Sequence, residues 1–309
     1  MSRSRSISDD VDLTSLVLSA VAEVPRGMVC TFGDIAEALG DPRAARAVGE
    51  VLATVQGQGL NGHRVVYSDG RAPDAEALRV EGLHVVDGRV EGLDEVRFHG
   101  FEVRPVLRDL QREQEELRLQ VVEKDGMTDH KKVTGVDIAY LGEEAVAAAV
   151  TMEAGSGKVL EEVVEWGRVR FPYVPGYLAY RELPMVRKAV RCGSGHVHLI
   201  DGHGRLHPRC FGVACHIGVS LGIPTVGAAK SMLIGHVMEG GGDIMVDGEV
   251  RGRMVGSGGK PTYVSVGHRV SLDTACHLVK RLILRAGPPE PLRMAHILAT
   301  EERRRRSRA

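Results

Sequence analysis

The spacing of apolar residues in the first third of the chain predicts a cluster of short helices. Apolar residues recur with helical spacing in 11–24 and in 43–54, and a compact helix is predicted between them at 33–40. Asp41 and Pro42 suit the N-cap and the first position of the last of these helices. A short helix, a glycine-containing turn and a second helix together predict a helix-turn-helix, with a winged-helix-like character.

Later segments favour strands. Residues 55–62 are predicted to form a loop. The runs 63–66 and 83–90 predict short strands around turns at Ser68-Asp69-Gly70 and Asp87-Gly88. A charged amphipathic helix is predicted over 108–122, after a candidate linker at 98–107 that has no clear periodicity. The pieces that follow are VTGVDIAY, AVAAAVTME, KVLEEVVEW and HVHLIDG, then the apolar helix ACHIGVSLGI and the strand PTVGAAKS. This alternation predicts an α/β (α+β) domain with a mixed sheet flanked by helices.

Composition adds limits to this picture. A length of 309 residues favours two domains, which we place at 1–100 and 101–309. The formal net charge is -1, so overall charge does not indicate nucleic-acid binding, but the ends read MSRSRS and RRRRSRA. Both ends are predicted to be disordered, either as solvated termini or in loose contact with phosphates.

Cysteine usage and hydropathy indicate the compartment. Five cysteines without paired spacing argue against a disulfide framework or a structural zinc site. No apolar stretch reaches membrane-spanning length, and the start of the chain lacks a signal-peptide core. The expected location is the cytoplasm, with no membrane partner.

Two acids end apolar strands. Asp137 follows the run 133–136, and Asp201 follows the run 197–200 and precedes Gly-His-Gly. An unpartnered carboxylate is costly to bury at such a place. If the two strands lay side by side, a divalent cation such as Mg²⁺ would relieve the repulsion and supply the Lewis acid for phosphodiester hydrolysis. For either acid alone, a simple turn cap is the more ordinary interpretation.

Six collinear segments change that balance: GVDIAY, FPYVPGYLAYRELP, DGHGRLHPR, PTVGAAKS, SVGHRVSLDTA and PLRMAH, between residues 135 and 296. Together they resemble endonuclease V, which nicks nucleic acid near deoxyinosine or inosine. The resemblance implies an RNase H-like fold and a Mg²⁺ site, with Mn²⁺ as the alternative. It assigns Asp137, Glu182 and Asp201 as metal ligands, Lys230 as a countercharge to phosphate, and His296 as a further catalytic residue.

The same resemblance implies how damaged DNA is held. Pro172, Tyr173, Val174 and Pro175 correspond to a rigid wedge that enters the duplex beside the lesion, where a tyrosine can stack on an unpaired base. The extruded base would lie against a lesion pocket made of Leu178, Gly202, Gly212, Val213 and Leu233.

Four histidines invite a zinc interpretation: His203, His207, His216 and His268. Carboxylates and the lack of matched cysteine ligands favour Mg²⁺ or Mn²⁺ instead. His216 is expected to be a hydrogen-bonded neighbour of the site.

Residues 25–66 resemble the DNA-binding domain of O6-alkylguanine-DNA alkyltransferases, through PRG, GDIAEALG and PRAARAVG. The family's Pro-Cys-His-Arg signature is replaced by Asn61-Gly62-His63-Arg64, so the nucleophile position is Gly62. The chain is therefore closer to alkyltransferase-like proteins, which bind alkylated bases without repairing them. Arg46 matches the arginine that fills the gap left by a flipped nucleotide, and Phe32 stands where a tyrosine is usual.

The sequence as a whole predicts a DNA repair endonuclease that acts near deoxyinosine on double-stranded DNA and carries a non-catalytic DNA-binding domain. Residues expected to contact DNA in that domain are Phe32, Arg46, Gly62, His63 and Arg64. Two alternatives stay open, a non-catalytic lesion-binding protein and a nuclease directed at inosine in RNA. A further hypothesis is that the first domain extends binding to O6-alkylguanine, so that deleting residues 1–100 would leave deoxyinosine cleavage intact but weaken alkylguanine binding.

Overall fold

The computed structural model describes residues 11–54, 61–126, 130–192, 194–239, 241–256 and 260–308. The chain divides into two compact units, and the described residues up to Glu113 form the first together with Arg170–Tyr177. The remaining described residues form the second unit. The boundary at 100/101 stays a prediction, whereas the assignment of Arg170–Tyr177 to the first unit was not foreseen.

The first unit is mainly helical. Its helices are α1 (Leu13–Glu23), α2 (Phe32–Ala38), α3 (Ala45–Thr54), α4 (Ala75–Val80) and the start of α5 (Val106–Arg118). Its strands are β1 (Cys30–Thr31), β2 (Val65–Val66), β3 (Val85–Val86) and β4 (Arg89–Val90), and Pro42–Ala44 and Asn61–Arg64 form 3₁₀ turns.

Side-chain caps explain why the helix-turn-helix forms where it was predicted. Thr31 and Asp34 make a reciprocal capping box at the start of α2. Asp41 caps the 3₁₀ turn that leads into α3, with Pro42 at its first position. These local signals confirm the predicted helices, but part of the predicted loop 55–62 lies outside the described residues.

Strands β3 and β4 confirm the predicted hairpin. Val85 pairs with Val90 and Val86 with Arg89. Asp87 and Gly88 connect them with φ values of 48° and 74°, as a two-residue hairpin turn requires. The predicted strand at His63–Val66 is shorter than expected, because His63 and Arg64 belong to a 3₁₀ turn.

The second unit is built on a mixed sheet. Its strands are β5 (Lys132–Leu141), β6 (Glu144–Glu153), β7 (Val159–Arg168), β8 (Val197–Ile200), β9 (Thr225–Ala229), β10 (His236–Val237), β11 (Asp243–Val246), β12 (Glu249–Val255) and β13 (Thr262–His268). Its helices are α6 (Leu178–Cys192), α7 (Val213–Leu221), α8 (Leu272–Leu282), α9 (Glu290–Arg308) and the end of α5. Within the described residues, nine strands form one sheet in the order β10-β11-β12-β13-β9-β8-β5-β6-β7.

Parallel pairing is confined to the centre of this sheet. Strand β8 pairs in parallel with β5 on one side and with β9 on the other, and the remaining pairs are antiparallel. Strand β6 is buried on both faces, which its small residues allow. Ala147 packs with α6 on one face and Ala148 packs with Ala299 of α9 on the other. The predicted mixed sheet flanked by helices is confirmed.

Two boundaries differ from the sequence-based expectation. Helix α5 runs from Val106 to Arg118 rather than over 108–122, so it takes up the end of the predicted linker. Arginines 303–306 and Arg308 were expected in a disordered tail, but they belong to α9, which ends at Arg308. The prediction was wrong because Arg306 is held by Glu144 and lies over the ring of Trp166, contacts that connect the helix end to the sheet. The basic start of the chain lies outside the described residues.

No helix in the described part of the chain is both long enough and apolar enough to cross a membrane.

Candidate active site

Strand register brings Asp137 and Asp201 together. Asp201 follows the end of β8 as expected, whereas Asp137 lies within β5 rather than at its end. Val136 of β5 pairs with Ile200 of β8 in the parallel part of the sheet, so Asp137 and Asp201 follow at the same level on neighbouring strands. The Asp201 amide donates to the Val136 carbonyl at 3.2 Å. Neighbouring strands lie about 4.8 Å apart, so the two carboxylates lie close together.

Glu182 comes to the same place from α6. The helix packs on the sheet through Leu183 and Val186, in one apolar cluster with Val136 and Ile200. The Tyr140 hydroxyl donates to Glu182 Oε1 at 2.8 Å, and the Arg181 guanidinium lies 4.3 Å from the centre of the Tyr140 ring. Tyr140 thereby orients the third carboxylate, a role that the sequence did not identify although the residue lies in the GVDIAY segment.

Lys230 and His296 each hold one of the other acids. The Lys230 ammonium donates to Asp201 Oδ2 at 2.5 Å, from the residue after β9. His296 Nδ1 lies 2.7 Å from Asp137 Oδ2. Asp137, Glu182, Asp201, Lys230 and His296, which the sequence selected from distant segments, are therefore brought together in the second unit.

A close approach between α9 and β5 places His296. A Cβ atom at Gly135 would lie 2.2 Å from the carbonyl carbon of Pro291, so only glycine lets the start of α9 press against the strand. His296 follows Pro291 on that helix and reaches the acid two residues after Gly135. A two-residue offset along β5 also puts Gly135 and Asp137 on the same face of the sheet.

The acids repel one another. Burial, and after it the Asp201 charge, raises the pKa of Asp137 above its ordinary value, although His296 and Lys230 act in the opposite direction. Burial raises the pKa of Glu182 to about 8, with contributions from Asp137 and Asp201 that the Tyr140 hydrogen bond only partly offsets. Burial lowers the pKa of Lys230, but the hydrogen bond and the charge of Asp201 outweigh it, so the net shift is upward.

The cluster holds three acids beside the single ammonium of Lys230. Three carboxylates form the oxygen donor set that Mg²⁺ or Mn²⁺ prefers. As the side chains stand, no three His, Cys, Asp or Glu residues in the described ranges are arranged to coordinate one ion. Tyr140, Lys230 and His296 each contact one of the three carboxylates instead.

Glycines bring a loop close to these acids. A Cβ atom at Gly202 would meet Val213 at 2.6 Å, and one at Gly212 would lie 2.3 Å from the His203 carbonyl oxygen. Gly202, Gly212 and Val213 are therefore packed together beside Asp201. Leu178 is the half-buried first residue of α6, and Leu233 is 51% exposed.

The wedge segment presents one aromatic ring to solvent. Tyr173 is 52% exposed, whereas its neighbours Phe171 and Val174 are buried. Pro172 is half-buried and Pro175 is exposed. The segment Arg170–Tyr177 belongs to the first unit, although its sequence lies inside the nuclease-like region.

The alkyltransferase-like elements of the first unit place a glycine where a nucleophile would stand. A Cβ atom at Gly62 would meet no atom of the described residues within 4 Å, so the position is open on their side. His63 Nε2 lies 2.7 Å from Glu81 Oε1, and Arg64 binds the same carboxylate. The hydrogen bonds from Arg64, ahead of the effects of His63 and Gly27, lower the pKa of Glu81 to about 2. Glu81 was missed because no spacing rule connects it to His63 across 18 residues.

Arg46 and Phe32 lie on the helix-turn-helix. The Arg46 side chain is 87% exposed and pairs with Glu50 one turn later on α3. An exposed pair of this kind contributes little, about 0.3–0.5 kcal/mol, so the guanidinium is easily released to another partner. Phe32 lies 5.3 Å from the Tyr67 ring and contacts the Gly49 position of α3.

Comparison with known proteins connects these features. The family model for Endonuclease V matches residues 115–297, which is more than half of the chain and includes the five clustered residues. The chain belongs to the endonuclease V family. The model for the DNA-binding domain of 6-O-methylguanine DNA methyltransferase matches residues 12–82. The family is one of nucleases, so the predicted hydrolase is confirmed at that level.

One relative matches nearly the whole chain, and two solved structures match its endonuclease V region. A bifunctional methyltransferase/endonuclease from Picrophilus torridus is 34% identical over 295 residues, covering 93% of this chain and 95% of that protein. Endonuclease V from Streptomyces avermitilis is 37% identical with a TM-score of 0.60, over 64% of this chain and 94% of that one. Ciona intestinalis endonuclease V is 28% identical with a TM-score of 0.58, over 64% of this chain and 98% of that one. It was solved with a 24mer DNA containing an inosine followed by a ribo-adenosine. The predicted RNase H-like fold is confirmed.

The histidines of this endonuclease V chain have separate environments. His207 Nδ1 accepts from the Arg209 amide, and His268 Nδ1 accepts from the Val122 amide. Burial lowers the pKa of His203. His216 is fully buried between Tyr180 and Phe211, with ring centroids 5.1 and 5.2 Å away. Among the residues described, neither of its ring nitrogens has a hydrogen-bond partner, so the expected hydrogen bond was wrong.

His216 should make the protein less stable in mild acid. Burial, and then the Arg187 charge, lowers the pKa of His216 to about 3 in the folded state, so the unfolded state takes up a proton first. Stability is therefore lost as pH falls from about 6.5 toward 3. Replacing His216 with phenylalanine should reduce the dependence of unfolding free energy on pH by up to about 1.4 kcal/mol per pH unit.

Urea titrations between pH 7.5 and 4.5 would measure this slope. His277→Phe, at an exposed position of α8, serves as the control and should keep the wild-type slope. An unchanged slope in His216→Phe would contradict the assignment. Buried His198, whose pKa burial lowers to about 4, accounts for part of the remaining dependence.

Proposed function

We propose that the protein cleaves a phosphodiester bond near deoxyinosine in double-stranded DNA, using a divalent metal held by Asp137, Glu182 and Asp201. The observation that supports this most directly is the convergence of three carboxylates from β5, α6 and β8. The raised pKa of Asp137 and of Glu182 suits a site that takes up a cation. The Ciona relative crystallised with inosine-containing DNA supports the choice of lesion.

Mg²⁺, or Mn²⁺ in its place, would supply Lewis-acid polarisation of the phosphate and stabilise the leaving oxygen. Asp137 and Asp201 are suited to direct coordination, since they lie at the same level on neighbouring strands. Glu182 would hold the ion through one oxygen while Tyr140 orients the other, at 2.8 Å from the hydroxyl.

Lys230 and His296 then have roles of their own. The Lys230 ammonium, which contacts Asp201, would be released toward the scissile phosphate once another cation neutralises that acid. His296 is 58% exposed and its Nδ1 is engaged with Asp137, which orients the ring. Its second ring nitrogen is placed to exchange a proton with water or with the leaving oxygen.

Lesion recognition would use the glycine-lined loop and the wedge. Leu178, Gly202, Gly212, Val213 and Leu233 are proposed as the pocket for the extruded base. Glycine at 202 and 212 keeps side chains away from the backbone N–H and C=O groups, which can then read the edge of hypoxanthine. Exposed Tyr173 would fill the gap in the stack, where base–aromatic stacking contributes about 1–3 kcal/mol.

The first unit is proposed to bind O6-alkylated guanine without transferring the alkyl group. Gly62 carries no nucleophile, and its open position leaves space where an alkyl group could lie. The weakly held Arg46 guanidinium would replace the flipped nucleotide in the duplex. His63 and Arg64 are fixed by Glu81 and would line that site.

A nicking assay of the full chain on matched strands tests the proposal. The panel contains deoxyinosine DNA, O6-methylguanine DNA, undamaged DNA and inosine RNA, each with Mg²⁺ or Mn²⁺. Nicking of deoxyinosine DNA and tighter binding of O6-methylguanine than of undamaged DNA are expected. Arg46→Ala should weaken the alkylguanine preference, and Arg112→Ala, an exposed arginine of α5, should not.

Each alternative predicts a different result on the same panel. Lesion binding without nicking under either metal would indicate the non-catalytic lesion-binding protein. Faster cleavage of inosine RNA than of deoxyinosine DNA would indicate the RNA-directed nuclease.

A further inference from the structure

The segment Arg170–Tyr177 is anchored in the first unit by three side chains. Phe171, Val174 and Tyr177 are 3%, 1% and 0% exposed, while Tyr173 projects into solvent. The Tyr177 amide donates to the Val174 carbonyl at 3.0 Å, which closes a turn that contains Pro175. The segment Arg170–Tyr177, called the wedge mount below, is therefore a packed support for one exposed aromatic ring rather than a free loop.

A buried hydrogen-bond network holds the end of this mount. The Tyr177 hydroxyl donates to Asp41 Oδ2 at 2.7 Å. The Gln111 side-chain amide donates to the same oxygen at 3.0 Å and to the Tyr177 hydroxyl at 2.5 Å. Asp41 is 3% exposed, so the network is shielded from water and each of its bonds is stronger than it would be in solvent.

Asp41 has a second task in the helix-turn-helix. Its other oxygen accepts from the Arg43 amide at 3.0 Å and caps the 3₁₀ turn before α3. Burial by itself would raise the pKa of Asp41, but the hydrogen bonds from Arg43 and Tyr177 lower it to about 2. The carboxylate is thus charged, and it joins the turn before α3 to the wedge mount.

Other proposed functional residues follow Asp41 and Tyr177 closely in the sequence. Arg46 of α3 lies five residues after Asp41. Leu178, the first residue of α6, directly follows Tyr177, and Glu182 lies one turn further along that helix. A displacement of Tyr177 would therefore change the direction of Tyr173.

We propose that the Tyr177–Asp41 hydrogen bond is a positioning contact through which the helix-turn-helix sets the placement of the wedge on damaged DNA. The proposal rests on the proposed function, because it takes Tyr173 as the wedge. It also replaces the expectation that deleting residues 1–100 leaves deoxyinosine cleavage intact. Deletion would remove Asp41 and expose Phe171, Val174 and Tyr177.

The test is Tyr177→Phe in the full chain, which removes the hydroxyl but keeps the ring. Loss of a hydrogen bond to a charged group corresponds to about tenfold or more in rate when the bond is needed in the transition state. We expect single-turnover nicking of deoxyinosine DNA to fall about tenfold, with DNA affinity within about twofold of wild type. Tyr263→Phe, which removes a hydroxyl in β13 of the second unit, is the matched control.

A second readout separates positioning from simple stability. With 2-aminopurine beside the deoxyinosine and Ca²⁺ replacing Mg²⁺, wild type should raise the fluorescence as Tyr173 unstacks the duplex. Tyr177→Phe should raise it less, and Tyr263→Phe should match wild type. A fall in melting temperature with unchanged nicking and fluorescence would overturn the proposal.

Two further results keep the outcome decisive. If Tyr177→Phe does not fold, Gln111→Met removes one donor from the same network and should reduce the rate and the fluorescence in the same direction. If wild type raises the fluorescence but never nicks, the cleavage function fails while the fluorescence comparison still decides the positioning role. A wild type that raises no fluorescence overturns both the wedge and this inference.

Discussion

Replacing Asp137 with asparagine is expected to lower the nicking rate by at least about three orders of magnitude. Asparagine keeps the shape and the contact with His296, but it removes the charge that a divalent cation would bind. Asp201→Asn should behave in the same way, because Asp201 occupies the equivalent position on the neighbouring strand. Single-turnover cleavage of deoxyinosine DNA at saturating protein measures the effect.

The Asp137→Asn and Asp201→Asn variants should lose nicking activity without losing stability. The raised pKa of Asp137 means that its charged form opposes folding at neutral pH, so loss of the charge should leave the metal-free melting temperature unchanged or higher. Asp247→Asn, at an exposed turn of the same unit, is the control and should nick at the wild-type rate. Cleavage that survives in both Asp137→Asn and Asp201→Asn would show that the metal assignment is wrong.

Local signals explain why much of this protein could be predicted from its sequence. The caps at Asp41 and Thr31 and the Asp87-Gly88 turn act within a few residues, so the helix-turn-helix and the hairpin were predictable. Asp137 and Asp201 were predictable for a related reason. Each follows an apolar run, and the parallel register of β5 and β8 places them at the same level, although Asp137 lies within β5 rather than at its end.

The features that were missed depend on contacts between distant segments. The Tyr140–Glu182 and His63–Glu81 contacts span 42 and 18 residues, and no periodicity connects their partners. Tyr177 lies in a nuclease motif but binds Asp41, 136 residues away. The arginine-rich end of α9 has the composition of a disordered tail, and only its contacts with Trp166 and Glu144 show why it continues as a helix.

Metal removal is expected to have an effect as large as the loss of Asp137. Treatment with EDTA should stop nicking, and Mg²⁺ or Mn²⁺ should restore it. Binding should also be visible without catalysis. At a metal concentration 100 times the Kd, the folded state gains about 2.7 kcal/mol, which corresponds to a rise of about 5–10 °C in melting temperature for a domain of this size. The Asp137→Asn/Asp201→Asn double variant should show no such rise.

The rise in melting temperature caused by the metal should also increase with pH. In the metal-free protein, burial and the neighbouring acids raise the pKa of Glu182 from 4.5 to about 8, so its contribution to stability is lost as pH rises through that range. Protons and metal compete for the same oxygens, so the metal binds more tightly once the carboxyl groups are ionised. The rise in melting temperature with Mn²⁺ should therefore be larger at pH 8.5 than at pH 6.0. An equal rise at both values, or the same rise in the double variant, would place the ion somewhere other than these three carboxylates.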